Sequence, residues 1–385
     1  MPTKNSLLIF RNEINNIDKK IVKLLAERKN LVLKIAQSKI ENNQAIRDIE
    51  REKKILQKLI FLGKKNNLTP EYITQLFQLI IEESVSTQKK LLEKFCNDHK
   101  LISTNFSFLG PKGSYSHIAA CEYADRNFQT CIKNECSTFE EVILSVENNQ
   151  SDYAVLPIEN TCSGSINEVF NLLKNTNLFI VGEINIFINH CLLAIENVEL
   201  HKIQKVYSHP QPFQQCSNFI KQFPEWKIKY TKSTADAMKK ITQYNKITNA
   251  VLGSEIGSKI YGLKILRKNL SNKEKNITRF VILHKNSIKI SEQIPTKTTL
   301  IFSTGQESGA LAKVLLILQE KKLIMKKLSS QTIYKNPSEE MFYIDIEVNL
   351  SSPLMQDTLK EIKNNTKFIK ILGCYPSENI VPITP

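Results

Sequence analysis

The chain has 385 residues, 53 Lys and Arg against 38 Asp and Glu, and a formal net charge of +15; that length holds roughly two or three domains with separate cores. No apolar run approaches the ~18 residues of a membrane span, and Met1 to Glu13 carries no signal-peptide core or cleavage site, so a cytoplasmic protein is expected. Lysines are scattered through every segment beside abundant Asn and Ile, with no Arg/Lys stripe, helix-turn-helix, zinc-finger or RRM signature, which disfavours nucleic acid and favours small anionic substrates.

The first long helical run is expected over Leu7 to Ile40. In heptads, one column reads Leu7, Ile14, Ile21, Arg28, Ile35 and the next Phe10, Ile17, Leu24, Leu31, Ser38. Arg28 therefore sits in the apolar seam, with Arg11 and Lys39 on its edge. A cation in a seam needs a neutralising partner, either a structural ion pair or a bound anion. At 1.5 Å per residue, Arg28 and Lys39 are about 16 Å apart and can bracket a small anion, whereas Arg11 is about 25 Å from Arg28. If all three serve one pocket, Arg11 comes from a second copy, which predicts an intertwined homodimer.

A second helix is expected from Ile46 to Gly63, the glycine suiting a C′ position, and a third opens at Thr69-Pro70-Glu71 and runs to about Phe95. Asp48 and Glu52 share a face with Ile55, Leu59 and Leu62, while Ser84 and Gln88 extend the stripe of Ile73, Phe77 and Ile80. Each alone suits a satisfied core group. Together with Arg28 and Lys39 they describe a pocket for a polyanionic small molecule, with no Cys or His nucleophile and no metal-ligand set.

Arg11, Arg28, Lys39, the run Arg47-Asp48-Ile49-Glu50-Arg51-Glu52, Ser84 and Gln88 match the all-helical chorismate mutase family, which residues 1–92 resemble along their length. The resemblance implies an all-α intertwined dimer that converts chorismate to prephenate. It implies that Arg28 and the Arg11 of a second copy hold the two carboxylates. Lys39 and Gln88 would donate to the ether oxygen, Glu52 and Asp48 would orient the ring hydroxyl, and Arg51 and Ser84 would support them.

Beyond a polar hinge (Asn97 to Asn105), strand-like and helix-like runs alternate, an α/β pattern with polar loops at strand ends. Phe106 to Leu109 reads as a strand, and Gly110-Pro111-Lys112-Gly113-Ser114-Tyr115-Ser116-His117 leads into a helix from Ile118 to Ala124. That turn suits either an anion on free N–H groups or a plain tight turn, and it is not a Walker A loop. Tyr153 to Ile158 reads as a strand, followed by the polar turn Glu159 to Ser165 and a helix from Ile166 to Leu173. Val206-Tyr207-Ser208 leads to His209-Pro210-Gln211-Pro212-Phe213-Gln214-Gln215-Cys216, and Asn276-Ile277-Thr278-Arg279-Phe280 precedes a strand at Val281 to Leu283.

The motifs GPKGSYSH, PIENT, YSHPQPFQQC and NITRF resemble the prephenate dehydratase family over residues 105–285. That resemblance implies two α/β lobes of the periplasmic-binding-protein type with the site in the cleft, and loss of carbon dioxide and water from prephenate to leave phenylpyruvate. By it, Thr278 is most tied to catalysis, with Arg279 beside it for a carboxylate. Asn160, Ser208 and Gln215 would line the cleft, and Glu159 is a candidate general acid. A threonine hydroxyl is a poor acid, so positioning of the leaving group by Thr278 stands as the alternative.

After a short linker (Pro295 to Thr298), the order over residues 299–376 reads strand, helix, strand, strand, helix, strand, a ferredoxin-like α+β unit. Gly309-Ala310-Leu311 at a helix start resembles the first effector motif of an ACT regulatory domain, which implies phenylalanine as effector. The family's second motif, Glu-Ser-Arg-Pro, is replaced by Ser329-Ser330-Gln331-Thr332, and a nearby family tryptophan by Ser338. Only Ser330 survives, so the fold is expected to persist and the inhibition to weaken. The eight cysteines show no paired ligand spacing and are expected to be reduced thiols. Nearly the whole chain thus resembles the P-protein family, chorismate mutase fused to prephenate dehydratase. That implies a homodimer or higher homo-oligomer needing no metal or organic cofactor. The competing readings are a non-catalytic small-ligand sensor, which leaves the helical polar cluster unexplained, and a mutase joined to an inactive dehydratase, which the intact NITRF run opposes.

Overall fold

The computed structural model describes residues 4–42, 44–96, 104–128, 130–273, 275–292, 294–305, 307–333 and 336–378. The hinge up to residue 103, Gln306, and the side chains of Leu7, Cys96, Thr332 and Ser338 lie outside the described set. Two compact units divide the chain: Met1–His99 with Ser291–Pro295 and Asn379–Pro385, and Lys100–Ile290 with Thr296–Glu378. Among the described residues no helix is long and apolar enough to cross a membrane.

The first unit is built from α1 (Lys4–Glu41), α2 (Ile49–Lys65) and α3 (Pro70–Cys96). With no Gly or Pro inside it, α1 runs unbroken for 38 residues. The second helix starts later than the apolar pattern predicts, because Asp48 is its N-cap and accepts from the Arg51 N–H at 3.0 Å. Asp48 therefore stands at the mouth of α2. Gly63 is likewise not a C′ residue but lies inside α2, where a Cβ would come within 2.6 Å of Ile73 Cγ1. The glycine is there for the close approach of α2 to α3. Thr69 and Pro70 open α3 as expected, with the Tyr72 N–H directed at Thr69 Oγ1 at 3.4 Å.

Packing overturns the expected seam within one chain. Among the described residues of α1 only Val32 and Ala36 are buried, while Ile14, Leu24 and Leu31 are 57%, 63% and 59% exposed. α1 and α2 each lie against α3. A 38-residue helix spans about 57 Å and α3 about 40 Å, so one chain cannot cover both apolar columns.

The second unit begins with β1 (Thr104–Leu109), α4 (Tyr115–Asn127), β2 (Cys131–Cys136), α5 (Phe139–Glu147), β3 (Tyr153–Asn160), β4 (Gly164–Ser165), α6 (Asn167–Asn175) and β5 (Phe179–Phe187). A second lobe follows: β6 (His190–Ala194), β7 (Lys205–Ser208), α7 (Pro210–Gln215), α8 (Ser217–Ile220), β8 (Lys227–Tyr230), α9 (Thr234–Tyr244), β9 (Asn249–Ser254), α10 (Glu255–Tyr261) and β10 (Lys264–Arg267). The chain then returns through β11 (Ile277–His284), giving one sheet ordered β2-β1-β3-β11-β5 and another ordered β10-β6-β9-β7-β8. Two crossings thus join two α/β lobes, as expected. The NITRF run, however, does not precede a strand. From Ile277 onward it is the strand, antiparallel to both β3 and β5.

The chain closes with β12 (Thr296–Ser303), α11 (Ala310–Glu320), β13 (Met325–Ile333), β14 (Asn336–Ile346), α12 (Pro353–Asn364) and β15 (Phe368–Pro376), in the antiparallel order β13-β14-β12-β15. This is the expected ferredoxin-like unit, except that β12 starts at Thr296 and absorbs most of the expected linker. Alternation buries both faces of its sheet. Leu300, Phe302, Phe342 and Ile344 face the core beneath α11 and α12. Ile301, Met341 and Tyr343 join a core with Leu156, Ile158, Phe170 and Leu283 of the first lobe. A Cβ on Gly373 would lie 2.1 Å from the Ile180 carbonyl oxygen, which shows how closely β15 approaches β5.

Candidate active sites

In the helical unit the half-buried Arg28 donates from Nη1 to Ser84 Oγ and, at 3.4 Å, to the Ile80 carbonyl. Ser84 in turn donates to Ile80 O at 2.6 Å, and Gln88 Nε2 donates to Ser84 O at 3.3 Å. Gln88 Oε1 is buried with no partner. Among the described residues no carboxylate pairs with Arg28, so the structural-ion-pair reading lacks its partner. Burial lowers the Arg28 pKa, and a groove of about 400 Å³ opens beside Arg28, Val32, Ile80 and Ser84.

In the last turn of α1, Lys39 donates to the Ile46 carbonyl. Burial lowers its pKa, opposed by Asp48 and Glu52 and reinforced by Arg51, so these four groups share one field. Glu52 accepts from Arg47 Nε at 3.4 Å. Asp48 and Arg51 are exposed at the α2 entry. The fold therefore brings together Arg28, Ser84 and Gln88, and separately Lys39, Asp48, Arg51 and Glu52. Arg11 joins neither group, being exposed far up the same straight helix.

The second constellation lies at the C-terminal end of β3 and the start of β11, whose register pairs Asn160 with Thr278. Asn160 Nδ2 donates to Asn276 Oδ1 at 2.7 Å and to Thr278 Oγ1 at 3.0 Å. Its Oδ1 accepts from the N–H groups of Cys162 and Ser163 and from Ser163 Oγ at 2.9 to 3.1 Å. Three donors on one oxygen fix the amide orientation. Among the described hydrogen bonds Thr278 Oγ1 accepts from Asn160 and donates none. Gln211 Nε2 of the second lobe reaches Ser163 Oγ at 2.8 Å, so the two lobes meet here. Nearby, Gln215 Oε1 bonds His190 Nε2 at 2.8 Å, and the other ring nitrogen meets Tyr115 Oη at 3.2 Å. Burial lowers the His190 pKa, opposed by the Gln215 hydrogen bond, and favours the neutral ring.

Asn276 was not read from the sequence as a site residue, although NITRF contains it. Its Nδ2 is buried with no partner beside Thr278, and an orphaned buried donor costs about 1–3 kcal/mol unless a ligand takes it. The seven described cysteines are free thiols, and burial with nearby Cys191 pushes Cys216 up to about 12. Among the described residues no group of three or more His, Cys, Asp or Glu could hold a metal.

Three expectations need correction. Because β11 already runs at Thr278, Arg279 points to the opposite face, where it is 6% exposed and pairs with Glu183 at 2.8 Å, Asp345 at 2.6 Å and Glu159 at 3.2 Å. Glu159 likewise alternates away from Asn160 and pairs with Arg279 and Lys327, leaving it no role as an acid beside Thr278. Ser208 is fully buried and donates to the Leu252 carbonyl at 2.9 Å, so its hydroxyl ties β7 to β9 and does not line the cleft.

The Arg279 cluster also takes in Tyr375 Oη at 2.8 Å and, through Glu183, Lys297 at 2.8 Å. Burial opposes the Arg279 charge, but Tyr375, Tyr343, Asp345 and Glu183 more than offset it and hold the pKa well above the ordinary value. Arg279→Met is expected to strand buried carboxylates at a cost of about 3–5 kcal/mol. Thermal unfolding should show the second unit melting roughly 10 °C lower.

In the ferredoxin-like unit Gly309 has φ +77° just ahead of α11, Ala310 is buried and Leu311 packs against the core. Ser330 is exposed on β13, while its neighbour Ser329 meets Ser165 Oγ at 3.2 Å. Among the described hydrogen bonds none joins Ser330 to the Gly309 turn.

Comparison with known proteins covers both constellations. The family profile for chorismate mutase type II matches residues 10–89, and that for prephenate dehydratase matches residues 106–288. The chain is 81% identical over its full length, and the relative's, to the bifunctional chorismate mutase/prephenate dehydratase of Buchnera aphidicola subsp. Acyrthosiphon pisum. It is 50% identical over the full length of both chains to that of Escherichia coli strain K12. A solved prephenate dehydratase from Arthrobacter aurescens in complex with L-Phe superposes with a TM-score of 0.65 at 20% identity, covering 73% of this chain and 93% of that one. Helical and two-lobed parts are thus matched in the same order and without gaps at the ends, and the chain belongs to the bifunctional chorismate mutase/prephenate dehydratase family.

Proposed function

We propose that each reaction of phenylalanine biosynthesis carried by this family has its own site here, and that the mutase site is completed by a second copy. The mutase converts chorismate to prephenate by a unimolecular rearrangement, which needs a compact substrate conformation and donors at the breaking C–O bond. Arg28, flanked by Ser84, and the second copy's Arg11 hold the two carboxylates. Lys39 and Gln88 donate to the ether oxygen, while Glu52 and Asp48, backed by Arg51, orient the ring hydroxyl. The exposed Ile14, Leu24 and Leu31 of the two apolar columns support the homodimer, since a second helical unit would bury them.

The dehydratase removes carbon dioxide and the ring hydroxyl from prephenate, with one proton completing the departing water. Thr278 positions the leaving hydroxyl with its free O–H, polarised by the Asn160 donation. Asn276 and Gln215 supply further polar contacts. The observation that carries the reading is the pair of polar clusters with hydrogen-bonding or charge capacity left open: Arg28 without a carboxylate, and Thr278 with Asn276 beside Asn160. Purified protein given chorismate should form prephenate and then phenylpyruvate without added metal or cofactor. Accumulation of prephenate alone would mean an inactive dehydratase, and no turnover would favour the sensor reading.

The 299–376 unit reads as an ACT domain, and the protein as cytoplasmic. With Ser329-Ser330-Gln331-Thr332 in place of the second effector motif, phenylalanine in the micromolar range is expected to leave dehydratase activity within about twofold of its uninhibited rate. Strong inhibition at those concentrations would show that Gly309, Ala310, Leu311 and Ser330 suffice.

A further inference from the structure

Glu159 and Arg279 are the strand neighbours of Asn160 and Thr278, and the β3–β11 register stacks them as two adjacent rungs. On one face of this ladder end, Asn160 bonds Thr278 at 3.0 Å. On the other, Glu159 accepts from Arg279 at 3.2 Å and from Lys327 Nζ, a lysine of β13 in the ferredoxin-like unit. Lys327 also sits 5.6 Å from the ring centroids of both Phe170 and Tyr343, which fixes its stem.

We propose that Lys327 is a positioning residue for the dehydratase, acting through Glu159 on Asn160 and Thr278; this rests on the reading of those two residues as the dehydratase site. β3 ends at Asn160 and β11 begins at Ile277, so the site rung is the last of the β3–β11 register, flanked by Ile186 of β5 beside Thr278 and Gly164 of β4 beside Asn160. The register also shifts just beyond it, between Arg279 and Phe280. An irregularity beside a rung re-aims its side chains, so contacts on the opposite face of the rung help set where Asn160 and Thr278 point. The Lys327–Glu159–Arg279 chain supplies those contacts. A second tie from the same strand, Ser329 to Ser165, holds the turn that follows Asn160 at 3.2 Å. β13 is also the strand that carries the altered second effector motif.

Removing one partner that fixes a reacting group costs up to about 100-fold when the group moves by 1 Å. Lys327→Met, which keeps the apolar stem, is expected to lower dehydratase kcat between about 10- and 100-fold with KM for prephenate within about threefold. Chorismate mutase turnover in the same full-length protein should be unchanged. Lys327→Arg should recover most of the loss, and adding Glu159→Gln to Lys327→Met should cost little beyond Glu159→Gln alone. The proposal is overturned if Lys327→Met keeps dehydratase kcat within twofold, or if its loss merely tracks a lower melting temperature. It is equally overturned if the two substitutions add fully. Thr278→Ala run in parallel separates the failures: an active Thr278→Ala enzyme refutes the site reading, while an inactive one beside a silent Lys327→Met refutes this proposal alone.

Discussion

Lys39→Ala is expected to lower chorismate mutase turnover by about 10²–10³, the usual cost of losing one donor aimed at developing negative charge. The rearrangement moves no proton, so in the proposed assignment the positive end of Lys39 acts by stabilising charge on the ether oxygen as the bond breaks. Lys39 lies in the last turn of α1, and its ammonium shares a field with Asp48 and Glu52, which oppose the lowering of its pKa by burial. The sign for pH follows. Only the ammonium carries the positive charge that stabilises the ether oxygen, so turnover is lost as pH rises through the lowered Lys39 pKa, and the alkaline limb lies below the range of a free lysine. Lys39→Arg should remove that limb while keeping part of the rate. Dehydratase activity and helical content should stay at the parent level in both variants. Near-normal mutase turnover in Lys39→Ala would refute the assignment.

Thr278→Ala is expected to abolish measurable dehydratase activity while mutase turnover remains at the parent level. The hydroxyl accepts from Asn160 at 3.0 Å, and that amide is locked by three donors on its oxygen. In the proposed assignment the substitution removes the group held over the departing hydroxyl, while Asn160 Nδ2 keeps Asn276 Oδ1 and the Ile277 carbonyl as acceptors at 2.7 and 3.2 Å, so the loss is one of chemistry and not of a stranded donor. Thr278→Ser keeps the hydroxyl but loses the β-branched side chain that restricts its rotamer, so it should retain a minor fraction of the rate. Steady-state prephenate turnover, measured beside chorismate turnover on the same preparation, separates the two sites. Equal loss of both activities would contradict them.

Much of this protein follows from local features of the chain. Helical periodicity identifies α1, and the fixed rise per residue shows that Arg11 and Arg28 cannot reach one ligand from a single copy. The change from helical periodicity to alternating strands and helices marks the two-lobed part, and the βαββαβ order marks the last unit. What stayed hidden depends on where a strand begins and on partners far away in the chain. Because β11 starts at Ile277 and not at Val281, adjacent residues with similar polarity take opposite fates: Thr278 in the site, Arg279 in a buried ion cluster. The partners of that cluster lie between 66 and 168 residues apart, beyond the reach of any pattern in neighbouring positions. Ser208 shows the same limit, since only the pairing of β7 with β9 turns its hydroxyl toward Leu252. Local chemistry determines which elements form and which residues are polar out of turn; the packing of remote strands decides which face each of those residues serves, because a side chain's direction alternates with every step along a strand.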